Sequence, residues 1–75
     1  MNLYRLVVDR APSSNEPSEI ETLTYYVLAK SEDAVRLWGK QQGLTVRASR
    51  VDLELVSQNT TMSKVGGTVD VVLEE

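Results

Sequence analysis

The sequence predicts a small α+β domain in which a mostly antiparallel four-stranded sheet carries one helix packed on one face. Four stretches of the chain alternate apolar and polar residues with a period of two, which is the spacing typical of strands. A further stretch, between the second and third strands, has its apolar residues at helical spacing. The order is therefore β-β-α-β-β in two layers, and the 75 residues form a single domain over residues 1–75.

The first two strands are predicted at residues 3–9 and 20–29. In the first strand, Tyr4, Leu6 and Val8 share one face, and we expect it to point at the core because the opposite face is less apolar. The second strand is rich in β-branched and aromatic residues and most simply pairs antiparallel with the first. Its two faces carry Leu23, Tyr25, Val27 and Ala29 on one side and Thr22, Thr24, Tyr26 and Leu28 on the other.

The helix is predicted to begin after Ser31, whose hydroxyl can accept from the free N–H groups of the first turn. Gly43 fits the left-handed position that follows a helix, and Leu44 can then fold back on Trp38. Gly39 weakens the helix by about 1 kcal/mol relative to Ala, and it allows a close approach to the sheet. The stripe expected to face the sheet consists of Ala34, Val35, Leu37, Trp38 and Gln41.

The third strand is predicted at residues 45–56, with a change of phase inside it. Its apolar residues fall at even positions before Ser49 and at odd positions after Arg50, so we predict a β-bulge or a bend at this point. A fourth strand is predicted at residues 68–73. Its apolar face carries Val69, Val71 and Leu73.

The remaining segments, residues 10–19 and 57–67, are predicted to be flexible loops because Pro, Ser, Asn and Gly dominate them. The crossover from the second strand through the helix to the third is expected to be right-handed. With the first strand between the second and the third, the expected sheet order is 2-1-3-4.

The composition disfavours catalysis and metal binding. The chain has no Cys and no His, and therefore no disulfide, no thiolate metal site and no imidazole base. Ser63 and Lys64 are adjacent in a predicted loop, which does not favour a Ser–Lys catalytic pair. Asp52 and Glu54 share a strand face with Arg50, which favours an ion pair over a metal site. We expect no catalytic residues, no metal and no cofactor, and we predict that the protein is not an enzyme.

The charge and hydropathy of the chain indicate its surroundings. A net charge of −3 disfavours bulk electrostatic binding to nucleic acid or to an anionic membrane. No apolar run approaches the roughly 18 residues of a membrane span, and the N-terminus lacks the layout of a signal peptide. We therefore expect a cytoplasmic protein with no membrane partner. A small domain without disulfides or metal also gains stability from oligomerisation.

The best candidate for a binding surface is the face of the sheet that the helix does not cover, which we call the open face. An apolar centre with a charged rim is typical of protein interfaces. We therefore predict a small protein-binding module, either a homo-oligomer or an adaptor or inhibitor of another protein. Asp52 and Glu54 border the predicted surface. Its partner-binding residues are Arg5, Val7, Thr24, Tyr26, Leu28, Arg50 and Val72.

An alternative function is nucleic-acid binding, because aromatic and Arg side chains on an open sheet can stack on single-stranded bases. Carboxylates on the same face disfavour this function because they repel phosphates. The residues that would carry it are Arg5, Tyr26 and Arg50 on the open face, or Arg36 and Lys40 on the outer face of the helix.

Overall fold

The computed structural model of the chain describes residues 1–11 and 19–73, and it confirms the predicted α+β architecture. Residues 12–18, most of the first predicted loop, lie outside the described residues. The elements in chain order are β1 (Asn2–Arg10), β2 (Glu21–Ala29), α1 (Glu32–Gln41), β3 (Ala48–Ser57), α2 (Met62–Val65), a 3₁₀ turn (Gly66–Thr68) and β4 (Val71–Val72).

The sheet has the order β3-β1-β2-β4, so the prediction that the first strand lies between the second and third is confirmed. β1 pairs antiparallel with both β2 and β3, and β4 pairs parallel with β2. The predicted place of the fourth strand beside the third was wrong. The chain crosses the sheet between β3 and β4, and backbone bonds from Asp70 to Tyr26 and from Leu73 to Leu28, each of 2.8 Å, hold β4 against β2.

The core lies between α1 and the sheet, on the strand faces that the alternation predicts. Gly39 and the half-buried Trp38 lie on the side of α1 that packs there, and the Trp38 ring meets Tyr25 edge to face, with centroids 5.5 Å apart. Val71 and Leu73 of the β4 region also pack against this core, on the face predicted for them. Its buried residues are Tyr4, Leu6, Val8, Val27, Ala29, Val35 and Leu44.

The predicted ends of α1 are confirmed, but the predicted sheet-facing stripe is partly wrong. Ser31 Oγ accepts from the Ala34 N–H at 3.2 Å, and Gly43 has a φ of 73°. Leu37 is 56% exposed, because the stripe that faces the sheet is centred on Val35 and Gly39. Gln41 is exposed for the same reason.

The third strand begins later than predicted. Residues 45–47 belong to a turn that follows α1, in which Val46 N–H bonds to Gly43 O and Ala48 N–H bonds to Thr45 O. The predicted bulge is confirmed, since Asp9 pairs with Arg50 and Arg10 pairs with Ala48, which leaves Ser49 as the extra residue. A second register shift at the other end of β3 was not predicted.

The predicted fourth strand is also shorter than expected, and the segment before it is partly helical. Regular pairing of β4 is limited to Val71–Val72. The predicted loop at residues 57–67 contains α2, which is closed by Lys64 and Val65 N–H groups bonded to Thr61 O. A single turn of this kind is too short to show a hydrophobic period in the sequence.

Candidate functional site

The open face is built from three adjacent strands, because alternate residues of each strand point to the side away from α1. The register aligns these residues in rows that cross β2, β1 and β3. Cross-strand neighbours in such rows lie close enough to interact directly. From one end of the sheet to the other, the rows are Thr22–Asp9–Arg50, Thr24–Val7–Asp52, Tyr26–Arg5–Glu54 and Leu28–Leu3–Ser57.

Arg5 lies at the centre of the open face and interacts with both of its neighbours. Its guanidinium forms an ion pair with Glu54 across the β1–β3 ladder. The Tyr26 side chain and the Glu54 carboxylate together raise the pKa of Arg5 above its ordinary value. Arg5 therefore remains cationic over the whole pH range in which proteins are normally handled.

Arg50 holds the charged rim at one end of the open face. Its Nε lies 2.9 Å from Asp52 Oδ2 and 3.3 Å from Asp9 Oδ2. The other oxygen of Asp9 accepts from Thr22 Oγ1 at 2.6 Å, so one carboxylate joins β1, β2 and β3. These contacts are exposed, and each ion pair contributes only about 0–1 kcal/mol to stability. Their main effect is to fix the positions of the charges.

An open groove of about 320 Å³ runs along the β1 and β3 side of the open face. Val7 contributes apolar surface to it, and charged side chains form most of the remaining wall. It brings together three predicted partner-binding residues, Arg5, Val7 and Arg50, with the two predicted border residues. The complete lining consists of Arg5, Val7, Arg50, Asp52, Leu53 and Glu54.

Tyr26 and Thr24 continue the open face on β2 beside this groove. Tyr26 is half-buried and Thr24 is exposed. The centre of the face therefore presents an aromatic ring, a β-branched apolar side chain at Val7 and a hydroxyl group between two charged margins. This is the arrangement of apolar centre and polar rim that protein interfaces share.

One predicted partner-binding residue is not available on the open face. Leu28 is only 1% exposed, so its predicted exposure was wrong, whereas Val72 beside it on β4 is 37% exposed. Leu3, the cross-strand partner of Leu28, is also buried. Both leucines lie outside the core beneath α1.

The segment between β3 and β4, residues 58–70, starts at this end of the sheet, where Ser57 pairs with Leu3. It joins two parallel strands, and such crossovers are right-handed in about 98% of cases. It crosses the sheet in the opposite direction to the crossover that contains α1, so a right-handed connection would lie over the open face. Thr60, which is buried, exchanges backbone bonds with Met1 and anchors the start of this segment beside Leu3.

Asp70 is a site residue that the sequence did not reveal. Its Oδ2 accepts from the Tyr26 N–H at 2.8 Å, and its own N–H donates to Tyr26 O at 2.8 Å. One residue thereby satisfies both backbone groups of Tyr26 and holds this part of β2 against the β4 segment. The only signal in the sequence is an Asp inside an apolar run, which is equally typical of a solvent-facing strand position.

The basic residues of the alternative nucleic-acid function lie on two opposite surfaces. Arg36 is exposed on α1 and pairs with Glu32 one turn earlier at 2.9 Å, and Lys40 is exposed on the same helix. Arg5, Tyr26 and Arg50 lie on the other side of the sheet. The structure therefore does not join the two sets, and each of the three arginines contacts a carboxylate.

Within residues 1–11 and 19–73, no group of three or more acidic, Cys or His side chains could hold a metal ion. In the same part of the chain, no helix is both long and apolar enough to cross a membrane. Comparisons of the chain with protein families, with curated proteins and with solved structures gave no match.

Proposed function

We propose that this protein is a non-enzymatic protein-binding module that docks its partner on the open face. The observation that supports this most directly is the uneven covering of that face. Leu3 and Leu28 are buried at one end, whereas Val7 and Tyr26 remain partly exposed at the centre. A partner would bury this centre and leave the charged margins at its rim.

The fixed charges suit recognition of a protein surface. Arg5 and Glu54 are paired across the face, as are Arg50 and Asp52 along its rim. Charges held in this way suppress wrong partners and set register more than they add affinity. The same pairing leaves little unbalanced positive charge for phosphates, so it favours a protein partner over nucleic acid.

The proposal is tested by placing a charge at the centre of the open face. Tyr26→Glu should weaken binding at least about tenfold, because a buried carboxylate would lose its hydration. The protein should stay folded, since Tyr26 lies outside the core and Arg5 is beside it. Leu37→Glu is the matched control, because Leu37 is an exposed apolar residue on α1.

Both variants are measured for self-association by light scattering over a range of concentrations, and for capture of a cellular protein. Loss of a complex in Tyr26→Glu, with retention in Leu37→Glu, supports the proposal. If the two variants behave equally both in self-association and in capture of the cellular protein, the open face is excluded as the docking surface. A mobility shift of single-stranded nucleic acid that disappears as salt rises would favour the alternative function.

A further inference from the structure

β3 has an unpaired side, because it lies at the edge of the sheet. The direction in which its unpaired N–H and C=O groups point follows from the hydrogen bonds between β2 and β4 at the opposite edge of the sheet. Tyr26 and Leu28 direct their C=O groups toward β4. Backbone groups alternate in direction along a strand and across an antiparallel ladder. The backbone N–H and C=O groups of Arg5 therefore point toward Glu54. On β3, the backbone groups that point away from β1 into the free edge are those of Val51, Leu53 and Leu55.

This free edge is regular over the segment from Arg50 to Leu55. The two register shifts of β3 lie on either side of this segment, at Ser49 and Val56. The segment contains no Pro, and its edge is not covered by any element among the described residues. Natural edge strands are usually short, interrupted or covered, because a regular free edge pairs readily with another strand.

The charges of β3 select a second copy of the same strand as its partner. In an antiparallel pair related by a two-fold axis at Val51, Arg50 of each copy lies opposite Asp52 of the other. If the two-fold axis passed through Asp52, the Asp52 carboxylates of the two copies would face each other. If it passed through Leu53, Asp52 of each copy would lie opposite Glu54 of the other. Like charges directly opposite one another destabilise a ladder, and opposite charges stabilise it.

We infer that two copies of this chain join by antiparallel pairing of their β3 edges, centred on Val51, to form one continuous sheet. The Val51 N–H of each copy donates to the Val51 C=O of the other. Arg50 and Asp52 of the two copies form a ring of alternating charge on the open face. This inference goes beyond the proposed docking on the open face, because the edge that it uses is a different surface.

The test uses charge reversal at the two positions that face each other. R50D and D52R should each stay monomeric where the wild-type chain dimerises, with a dissociation constant at least about tenfold higher, because each homodimer would oppose like charges twice. An equimolar mixture of R50D and D52R should form a heterodimer, and the double variant R50D/D52R should dimerise alone. Sedimentation velocity measures all four samples.

R36D is the matched control, because it makes the same charge change on the outer face of α1 and should dimerise normally. A wild-type chain that is monomeric at all concentrations overturns the inference. So does a mixture of R50D and D52R that fails to associate although circular dichroism shows both variants to be folded. Tyr26→Glu should leave this dimer intact. If it abolishes the dimer while R50D retains it, the open face is the self-association surface and the edge is not.

Amide hydrogen exchange of the unmodified chain gives a readout that needs no variant. The Val51 amide should become protected as concentration rises. Thr24 is an internal control, because its amide points to the opposite edge of the sheet beyond the end of β4. If the Thr24 amide becomes protected and the Val51 amide does not, the inference is overturned and the contact lies at the β2 edge.

Discussion

At the scale of single residues, two glycines near the end of α1 have different reasons to be glycine. Gly39 is buried against the sheet, and a Cβ atom built there would lie 3.4 Å from Leu6 Cδ2. Gly43 has open space around it, but its φ of 73° is strained for any residue with a side chain. The first position is therefore limited by space and the second by backbone conformation.

The same substitution should have opposite effects at these positions. Gly39→Ala should raise the free energy of unfolding by about 0.5–1 kcal/mol, because Ala favours the helix and its methyl group just fits. Gly43→Ala should lower it by about 1–2 kcal/mol, because the left-handed conformation disfavours Ala. Urea denaturation measures both values. A loss of stability in Gly39→Ala would show that Leu6 cannot move to admit the methyl group.

Residue patterns predicted the helix ends, but they predicted only part of the side of α1 that faces the sheet. Ser31 and Gly43 are recognisable because capping depends on local chemistry. The exposure of Leu37 was missed because hydropathy assigns large apolar residues to the core. The buried position belongs to Gly39 instead, where the helix approaches Leu6 closely.

At the scale of elements, β4 is attached by very few contacts, and Asp70 provides an important one. The strand itself contains only Val71–Val72. Asp70 adds a carboxylate bond to the Tyr26 N–H, and this bond extends the attachment beyond the regular ladder. The attachment of β4 therefore depends on a side chain as well as on the backbone.

Asp70→Ala should loosen β4 without unfolding the rest of the domain. We expect a loss of about 1 kcal/mol, because an exposed hydrogen bond to a charged acceptor is removed. The Tyr26 amide should exchange faster with solvent. Asp70→Asn keeps an oxygen acceptor and should restore most of the protection. If Tyr26 exchanges equally in all three proteins, the carboxylate does not hold the strand.

The long strands were predictable and the short one was misplaced, for a physical reason. β1 and β2 each extend over nine residues, so their alternation determines which face is buried. The phase change at Ser49 likewise revealed the bulge in β3. A two-residue strand carries almost no alternation, and nothing near Asp70 indicates that its neighbour is Tyr26.

At the scale of the whole molecule, both faces of the sheet are covered in part. α1 covers one face, and the other face is buried at the end that holds Leu3 and Leu28. The exposed centre of the open face therefore begins where this buried end stops. Arg5, Val7 and Tyr26 could be assigned to this face from the sequence, but the burial of Leu28 could not, because it depends on how the chain returns across the sheet.

Leu28→Ala should reveal the contribution of this second covered region. We expect a loss of about 2–5 kcal/mol, which is typical of removing a buried leucine side chain. Leu37→Ala, at an exposed position, should change stability by less than about 0.5 kcal/mol. Thermal and urea unfolding compare the two variants. Similar small losses in the two variants would contradict the burial of Leu28.

The central position of β1 also determines the time course of folding. β2 follows β1 closely along the chain, whereas the contact between Arg5 and Glu54 joins residues 49 positions apart. Closing a long loop costs entropy before any contact is gained, so the β1–β3 ladder should form after the β1–β2 hairpin and slow folding. During synthesis, one side of the first strand therefore stays unpaired until β3 has left the ribosome, and in that interval a nascent chain is most exposed to aggregation.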